Sequence, residues 1–588
     1  MIEFLDVIRK VDLFSCLEEN ELIDLVSRFE LINLKEGEIL FSRGDSSDYI
    51  YIVISGHISS YLLDKDQQFQ AIGTIEQGQI LGEAGVLSEE PRMLTVKAIV
   101  ATQLARLSAE QFKALCYNNP VILEKTAKTV IARSQLTMNF IADESIQQWH
   151  IIIPANPQVS IEEFKKRLKN NAVNYQNIFL VETNEVAVIK EMLSHQNYQN
   201  NHIFLLVIIS AEILSKLVDL IKIKAIYLLA DNQGDLSIEP KLISLITNKM
   251  SQDYVKIELI LLHDDKVDRP SNTIKWLEKF PFSFHYHIKQ NRDEDYQRLL
   301  RFINGTSTVL VLGGGGAKGW FHVGLIKALT EKNIKIDAIG GVSAGAVVGA
   351  CYLYDSEFNH VVDNLERITN TFYSITQVKN LTWPLVSFFK SSQALTVLQD
   401  IFQETKIEDL WRPFFCVTAN LSLCSESAHY SGELASRLMA SNSIPGVLPP
   451  CIINGQLHYD GGLINNLPID VMRNRIGKKN KIIASCLSAS SPDNTVYNFP
   501  QKIGLFQFLK ARLTRTKVKT YPVVWDSFIK ALLLGSSLKE KQTSEFADLL
   551  INPDLSKFSI YYLNKDQEQE LLEFGYQEGL NITNNSEN

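Results

Sequence analysis

The sequence predicts a multidomain protein with an N-terminal β-barrel carrying helices, a middle α/β domain with a parallel sheet, and a C-terminal α/β domain. The length of 588 residues suits three or four domains of about 100–200 residues each. Residues 1–110 alternate β-rich runs with turn signals at Gly37, Gly44 and Gly56, which is typical of a small β domain. Residues 148–490 alternate continuous apolar runs with helical stretches, as expected of parallel strands buried on both faces.

These changes of pattern predict four segments, with boundaries at 1–145, 146–303, 304–490 and 491–588. The first ends in a predicted helix, because its last part lacks glycine and carries apolar residues at helical spacing. The second contains no G-x-x-x-x-G-K-[ST] motif, so we expect no nucleotide triphosphate site in it. The fourth is predicted to be a mostly helical extension that packs on the third.

Composition excludes several classes of function. The net charge of −9 argues against binding of nucleic acid. Seven cysteines are scattered without C-x-x-C pairs or zinc spacing, which indicates a reducing compartment and no metal site. The start MIEFLDVIRKVDLF does not resemble a signal peptide, and the most apolar window, 203–221, is too polar to span a bilayer. We therefore expect a cytoplasmic protein, with any membrane contact peripheral.

The stretch TVLVLGGGGAKG, residues 308–319, places four glycines directly after a predicted strand. Gly314 and Gly316, together with Gly319, fit the G-x-G-x-x-G of a dinucleotide loop, but Asp337 stands at the start of the next strand rather than at its end. Lys318 is not followed by serine or threonine, so a phosphate loop lacks its magnesium ligand. A third interpretation is a loop whose backbone N–H groups bind an oxyanion.

A candidate nucleophile follows this loop. Gly341, Ser343 and Gly345 form a G-x-S-x-G between an apolar strand and a helix of small residues, a pattern that projects a serine from a tight turn. Such a serine needs a base. Asp460 stands at a predicted strand end before two glycines, and His458 leaves a triad open.

These motifs together resemble the patatin-like phospholipases in identity and order. The resemblance rests on GGGAKG at 314–319, GVSAG at 341–345, SNSIPGVLPP at 441–450 and DGG at 460–462. Residues 548–579 resemble the neuropathy target esterase branch of that family. The resemblance implies a Ser343–Asp460 dyad, an oxyanion hole made by backbone N–H groups, and no cofactor for catalysis. It assigns the oxyanion hole to Gly314, Gly315 and Gly316, and motif positions to Gly319, Gly341, Gly345, Gly461 and Gly462.

The front of the chain holds a second signature, GEAGVLSEEPR at 82–92. Gly82, Glu83 and Arg92 resemble the phosphate cassette of cyclic nucleotide-binding domains. In such a cassette the glycine N–H approaches the cyclic phosphate, the arginine neutralises it, and the glutamate accepts from the ribose 2′-hydroxyl. Met93 and Leu94 depart from the small residues of many binding versions, so affinity and the choice between cyclic AMP and cyclic GMP stay open. Thr137 is a candidate contact to the base.

The two resemblances imply a serine lipid hydrolase, a phospholipase or lysophospholipase, that is regulated by a cyclic nucleotide. We expect nucleotide binding to shift the helix at 120–142 and thereby to change access to Ser343. The segment 501–519 has six basic residues and no acid, which fits either a helix packed on the lipase domain or contact with an anionic membrane surface. The alternative function is a cyclic nucleotide sensor with a catalytically idle lipase domain.

Overall fold

The structure is a computed structural model that forms two compact units, Met1–Asp143 and Glu144–Asn588. It describes residues 7–9, 11–35, 37–63, 69–75, 77–127, 129–130, 148–156, 159, 161–181, 189, 203–207, 211–217, 221, 223–232, 237–243, 245–246, 255–280, 282–375, 377, 380–381, 386–488 and 524–585. The whole of 131–147, which includes Thr137, and the basic segment 501–519 lie outside these ranges.

The strands are numbered in chain order. They are β1 Glu30–Leu34, β2 Ile39–Phe41, β3 Tyr49–Ser55, β4 Ile58–Leu63, β5 Phe69–Ile75, β6 Ile80–Leu81, β7 Thr95–Ala98, β8 Thr102–Ser108, β9 Gln148–Pro154, β10 Ile178–Val181, β11 Ile203–Val207, β12 Ile223–Asp231, β13 Lys256–His263, β14 Phe284–Lys289, β15 Thr308–Leu312, β16 Ala338–Gly341, β17 Phe414–Asn420, β18 Ser425–His429, β19 Cys451–Ile453, β20 Gln456–Asp460, β21 Lys481–Ser485 and β22 Leu549–Ile551.

The α-helices follow the same convention. They are α1 Glu19–Ser27, α2 Glu83–Ser88, α3 Ala109–Asn118, α4 Glu162–Ala172, α5 Ala211–Leu217, α6 Ile274–Leu277, α7 Asp293–Asn304, α8 Trp320–Glu331, α9 Ala344–Tyr354, α10 Phe358–Ile375, α11 Ser392–Phe402, α12 Leu434–Ser441, α13 Ile469–Ile476, α14 Val524–Leu532, α15 Leu534–Thr543 and α16 Lys565–Asn585. Short 3₁₀ turns lie at Asp12–Phe14, Gly316–Gly319, Ile407–Asp409, Gly461–Leu463 and Ser544–Phe546.

The first unit contains two separate four-stranded antiparallel sheets, with strand orders β1-β8-β3-β6 and β2-β7-β4-β5. It is therefore a sandwich, and the predicted barrel is too loose a description, because none of the strands described in this unit joins the two sheets into a closed cylinder. The three glycines that mark turns in the sequence have positive φ, at +82°, +94° and +91° for Gly37, Gly44 and Gly56, a conformation that side chains disfavour. Helices α1 and α3 pack on β3 through Leu22 and Phe112.

A six-stranded parallel sheet forms the middle domain, in the order β10-β11-β9-β12-β13-β14. The residues of β11 are all buried, as are seven of the eight residues of β13. This explains the continuous apolar runs in the sequence, since helices cover both faces of such a sheet. The predicted parallel α/β domain is confirmed.

The third domain is built on an eight-stranded mixed sheet with the order β19-β20-β17-β16-β15-β21-β22, and β18 also pairs with β17. Its centre is parallel, because β15 pairs in parallel with both β16 and β21. The glycine loop follows β15 and the G-x-S-x-G follows β16, so both leave the sheet at the carboxyl edge of adjacent strands. This edge is where ligands bind in open α/β sheets.

The described part of the region after residue 490 consists mostly of helices α14, α15 and α16, and it also contains one short strand that the sequence did not predict. Strand β22 pairs in parallel with β21 and extends the sheet of the third domain by one strand. Its three residues are too few to show a strand period in the sequence. Helix α16 then packs along α8. Among the described residues, no helix has the length and apolar character needed to cross a bilayer.

Two polar contacts tie the third domain to the middle domain. Arg301 of α7 binds both oxygens of Asp337, with its Nη2 2.6 Å from Oδ1. The carbonyl of Glu408 accepts hydrogen bonds from His285 and His287 of β14 at 3.1 and 2.8 Å. Asp337, the carboxylate weighed from the sequence as a ligand for a dinucleotide ribose, is thus engaged in a buried ion pair with Arg301 just before β16.

Candidate active site

Ser343 occupies the turn between β16 and α9 in a strained backbone conformation. Its φ of +51° and ψ of −126° lie in a region that non-glycine residues rarely adopt. Its N–H donates to the Ser441 hydroxyl at 3.0 Å, and that hydroxyl donates to the Val417 carbonyl at 2.7 Å. These bonds hold the serine in a conformation that projects its Oγ from the carboxyl edge of the sheet.

Close backbone approach explains the glycine at position 345. A Cβ there would lie 2.2 Å from the carbonyl oxygen of Leu312, so any side chain would push α9 away from β15. Gly341 ends β16, and Gly319 lies against Ala344 at the start of α9, with 3.3 Å between its Cβ position and the Ala344 Cβ. The small residues of the motif therefore allow the backbones of β15, the glycine loop and α9 to pack directly against one another.

The structure brings the predicted base to the predicted nucleophile. The Ser343 hydroxyl donates to Asp460 Oδ2 at 2.7 Å, and the Gly462 N–H donates to Asp460 Oδ1 at 2.8 Å. Asp460 ends β20 and is only 6% exposed. Gly461 is needed at the next position, because a Cβ there would lie 2.3 Å from the Val417 carbonyl oxygen.

Burial sets the basicity of this carboxylate. Loss of hydration raises the pKa of Asp460 from its ordinary value to about 6, while the hydrogen bonds from Gly462 and Ser343 act in the opposite direction. A base works best when its pKa lies close to the working pH. The raised pKa makes Asp460 a far better proton acceptor than an exposed aspartate.

The triad that the sequence left open with His458 is not formed. His458 Nδ1 lies 2.8 Å from the hydroxyl of Thr418, and its ring packs beside that of His429. His322 lies beneath the glycine loop, where its Nε2 is 2.9 Å from the Gly313 carbonyl oxygen. His360 pairs with Asp355 on the surface. Among the residues that the structure describes, the Ser343 hydroxyl thus has a carboxylate, and no imidazole, as its short hydrogen-bond partner.

The three glycines predicted for the oxyanion hole are not equivalent. The N–H of Gly314 donates to the Asn466 carbonyl at 3.1 Å, so it is already used inside the protein. Within the described chain, the N–H groups of Gly315 and Gly316 have no hydrogen-bond partner. The loop lies against the candidate nucleophile, because a Cβ added at Gly314 would lie 3.2 Å from the Cβ of Ser343. Gly315 and Gly316 are therefore the better candidates for donors to an oxyanion.

Two asparagines support the site, and the sequence interpretation assigned them no role. Asn442 Nδ2 donates to the Ser343 carbonyl at 3.3 Å, and its Oδ1 lies 3.5 Å from Ser343 Oγ. Asn466 Nδ2 donates to the Gly314 carbonyl at 3.3 Å. Each is the only residue with a side-chain amide in its segment, SNSIPG or NLP. The sequence could not reveal their role, because both amides bind backbone carbonyls and such partners need no particular residue type.

Lys318 is an interior residue of the glycine loop. It is 5% exposed, and burial lowers the pKa of its ammonium group, an effect that nearby Asp554 opposes. Among the described residues, no cluster of three or more histidine, cysteine, aspartate or glutamate side chains is arranged to hold a metal ion.

A cavity of about 750 Å³ opens beside Ser343. Its walls come from α9, α10, the loop after α12 and the chain before α16. The lining is mainly apolar: Trp320, Val347, Leu365, Ile368, Phe372, Ile375, Phe388, Phe389, Ile444, Val447, Leu448, Ile560 and Leu563. A cavity of this size and polarity suits a hydrocarbon chain, with its ester group held at the serine.

The nucleotide cassette is assembled in the first unit. Gly82, at φ +85°, precedes α2, and Glu83 is the buried first residue of that helix. The Arg92 guanidinium donates to the carbonyls of Gly82 and Tyr49 at 2.8 and 2.5 Å and lies 4.3 Å from the centre of the Phe41 ring. Arg92 also lines a cavity of about 320 Å³. Its buried Nε has no partner among the described residues.

Three models of known families match the chain. Residues 310–473 match the patatin-like phospholipases, residues 31–119 match the cyclic nucleotide-binding domain, and residues 221–311 match the neuropathy target esterase family P-loop like domain. The resemblances predicted from the sequence are confirmed. The third match covers part of the middle domain, whose sequence lacks the lysine-containing phosphate loop.

Similar proteins cover most of the chain at low identity. Neuropathy target esterase sws of Drosophila melanogaster is 26% identical over 79% of this chain and 36% of its own length. Patatin-like phospholipase domain-containing protein 7 of Rattus norvegicus is 25% identical over 93% of this chain and 45% of its own length. The chain thus spans less than half the length of these relatives. A solved regulatory subunit of a cAMP-independent protein kinase A from Trypanosoma brucei is 18% identical, with a TM-score of 0.20 over 21% of this chain and 46% of its own.

The raised pKa of Asp460 predicts the pH dependence of Ser343 reactivity. Only the ionised carboxylate accepts a proton, so covalent labelling of Ser343 by a fluorophosphonate should fall as the pH drops through about 6, the pKa of Asp460. The measurement is the labelling rate between pH 4.5 and 8.5, with intact fold checked by circular dichroism at each pH. If the labelling rate instead fell with a midpoint near pH 4, burial would not raise the pKa of Asp460, and this prediction would be wrong.

Proposed function

We propose that this chain is a serine hydrolase that cleaves carboxylic esters of lipids, as a phospholipase or lysophospholipase. The observation that carries the proposal is the 2.7 Å hydrogen bond between the Ser343 hydroxyl and the buried carboxylate of Asp460. This pair lies in the wall of an apolar cavity, next to two backbone N–H groups that lack partners among the described residues. The matches to patatin-like phospholipases and to neuropathy target esterases support the same activity.

The geometry supports a two-step acyl transfer. Asp460 takes the hydroxyl proton as Ser343 Oγ bonds to the ester carbonyl carbon, and the N–H groups of Gly315 and Gly316 donate to the resulting oxyanion. The tetrahedral adduct collapses by breaking the bond to the alcohol oxygen, which receives the proton from Asp460. Water then attacks the acyl carbon while Asp460 accepts one of its protons, and the second adduct breaks its bond to Ser343 Oγ, which takes that proton back from Asp460 as the fatty acid leaves. This cycle requires no cofactor.

A cyclic nucleotide is proposed as the regulator. Gly82, Glu83 and Arg92 lie together in the first unit, and the cyclic nucleotide-binding match spans all three. A cyclic phosphate would draw the Arg92 guanidinium away from the carbonyls of Gly82 and Tyr49, because a charged acceptor makes the stronger hydrogen bond. Such a ligand affects hydrolysis only if the active and inactive states of the enzyme bind it differently.

A peripheral membrane surface is the proposed source of substrate. Large apolar and aromatic side chains that line the cavity, or stand close in sequence to residues that line it, are exposed, from 37% at Phe388 to 64% at Val386. They are Tyr373, Leu381, Val386, Phe388, Tyr561 and Tyr562, and all except Val386 also line the cavity. Exposed patches of this kind mark lipid or protein contact sites, and aromatic rings favour the headgroup level of a bilayer.

Replacement of the dyad tests the activity. Ser343→Ala should lower release of fatty acid from phospholipid and lysophospholipid dispersions by at least about 10³-fold, because the nucleophile is lost. Asp460→Asn should retain the fold and lose about 10²-fold or more, since the amide cannot accept the proton. Ser436→Ala, whose hydroxyl bonds only within its own helix at the Glu433 carbonyl, is the control. Equal activity of wild type and Ser343→Ala would leave the chain as a nucleotide sensor with an idle lipase domain.

Titration with nucleotides tests the regulator. Calorimetry with cyclic AMP and cyclic GMP should give saturable binding of at least one, and Arg92→Leu should weaken it tenfold or more by removing the phosphate partner. Arg28→Leu serves as the control, because Arg28 is an exposed residue paired with Asp24 in the same unit. Absence of binding heat with both nucleotides would mean that this domain has a packing role alone.

Liposome co-sedimentation tests the membrane surface. Leu381→Asp combined with Val386→Asp should reduce binding to vesicles severalfold, because charged side chains resist transfer to the headgroup region. Leu421→Asp is the control, since Leu421 is 57% exposed but does not line the cavity. Loss of binding in a charge-reversed 510–519 variant, with no loss in the rim variant, would assign membrane contact to the basic segment instead.

A further inference from the structure

The C-terminal part of the described chain crosses the active site rather than extending away from it. After β22, residues 553–564 run over the glycine loop, and α16 then lies along α8; we call residues 553–564 the strap. Leu555, Phe558 and Leu563 of the strap are buried in the core of the lipase domain. Ile560, Tyr561, Tyr562 and Leu563 line the same cavity as Ser343.

One backbone hydrogen bond joins the strap to the loop that carries the candidate oxyanion donors. The N–H of Ala317 donates to the carbonyl of Ile560 at 2.9 Å. The same carbonyl oxygen would lie 2.2 Å from a Cβ at Gly316, whose φ is +57°. Gly316 is thus a glycine both because of its backbone conformation and because the strap passes directly over it.

Helix α16 anchors the strap through unusually close contact with α8, the helix that follows the glycine loop. A Cβ on Gly324 would lie 1.9 Å from the Leu572 carbonyl oxygen, and a Cβ on Gly575 would lie 2.1 Å from the Phe321 carbonyl oxygen. The Tyr576 hydroxyl donates to Glu331 at the other end of α8. The two backbones therefore touch at reciprocal glycines, and the position of one helix determines the position of the other.

We propose that the strap is a positioning element of the active site, in which the Ile560 carbonyl orients the N–H groups of Gly315 and Gly316 toward the oxyanion. This inference rests on the proposed hydrolase function. A run of four glycines has many accessible conformations, whereas donors stabilise an oxyanion only when they are fixed before the charge develops. The hydrogen bond from Ala317 and the packing of α16 on α8 supply that fixation from outside the motif.

The test displaces the strap without touching the catalytic residues. Gly575→Ala forces α16 away from Phe321, although alanine favours a helix more than glycine does. Gly535→Ala is the matched control, because a Cβ there meets nothing within 4 Å. We expect kcat/KM of Gly575→Ala to fall about 10- to 100-fold, as misplaced catalytic groups do, with wild-type values for Gly535→Ala.

Inhibitor binding separates positioning from general damage. A trifluoromethyl ketone forms an oxyanion on the serine, so its affinity should fall by the same factor as kcat/KM, while a non-hydrolysable ether lipid should bind as to wild type. Unchanged activity in Gly575→Ala, or equal loss of affinity for both ligands, would overturn the inference.

A second variant leaves every side chain in place. Replacing Ala317 by lactic acid, Ala317→lactic acid, turns its amide into an ester and removes the N–H that bonds to Ile560. The same selective loss of ketone affinity is expected, and wild-type behaviour of this variant would refute the role of the Ile560 carbonyl even if Gly575→Ala failed to fold. An inactive wild-type enzyme that binds no ketone would instead refute the proposed function itself.

Discussion

The hydrogen bond between Ser343 and Asp460 sets the requirements for the lipase domain, because it joins residues 117 positions apart at 2.7 Å. Strand β17 makes this meeting possible. It pairs in parallel with β16, which leads to the serine, and antiparallel with β20, which ends at the aspartate. The fixed spacing of adjacent strands then determines the distance between the two side chains. Gly345 and Gly461 allow the flanking backbones to approach as closely as that spacing demands.

A carboxylate that replaces histidine as the base must satisfy two opposing conditions. It must be desolvated enough for its pKa to approach neutrality, yet ionised enough to accept a proton. Asp460 meets both conditions through nearly complete burial and a hydrogen bond from the Gly462 N–H. Burying the charge costs stability, as does the backbone strain at Ser343. The rigid surroundings of the sheet edge, including Ser441 and Val417, hold both residues in place despite that cost.

Sequence alone predicted those features that require a particular side chain, or its absence. The serine, the aspartate and the glycines beside them leave clear motifs, because any other residue would fail sterically or chemically. The succession of a β-rich segment and two α/β segments was equally visible, since buried parallel strands require continuous apolar runs. Features that depend on main-chain partners were not predictable. The bond from Gly314 to the Asn466 carbonyl and the three-residue strand β22 leave no residue-type signature. A sandwich and a barrel also show the same pattern of short strands and turns in a sequence. They differ only in whether the edge strands of the sheet pair to close it, which the sequence does not reveal.

The close packing of α16 on α8 has a consequence for the order in which the domain matures during translation. The Tyr576 hydroxyl and the Glu331 carboxylate that it contacts are 245 residues apart, so α8 leaves the ribosome long before its partner helix. During that interval β21 presents an open edge, and the glycine loop lacks the Ile560 carbonyl. The nascent chain then carries the proposed dyad without the backbone contact that fixes the glycine loop. Under the proposed function, hydrolysis therefore begins only after the C-terminal segment has emerged and docked on α8.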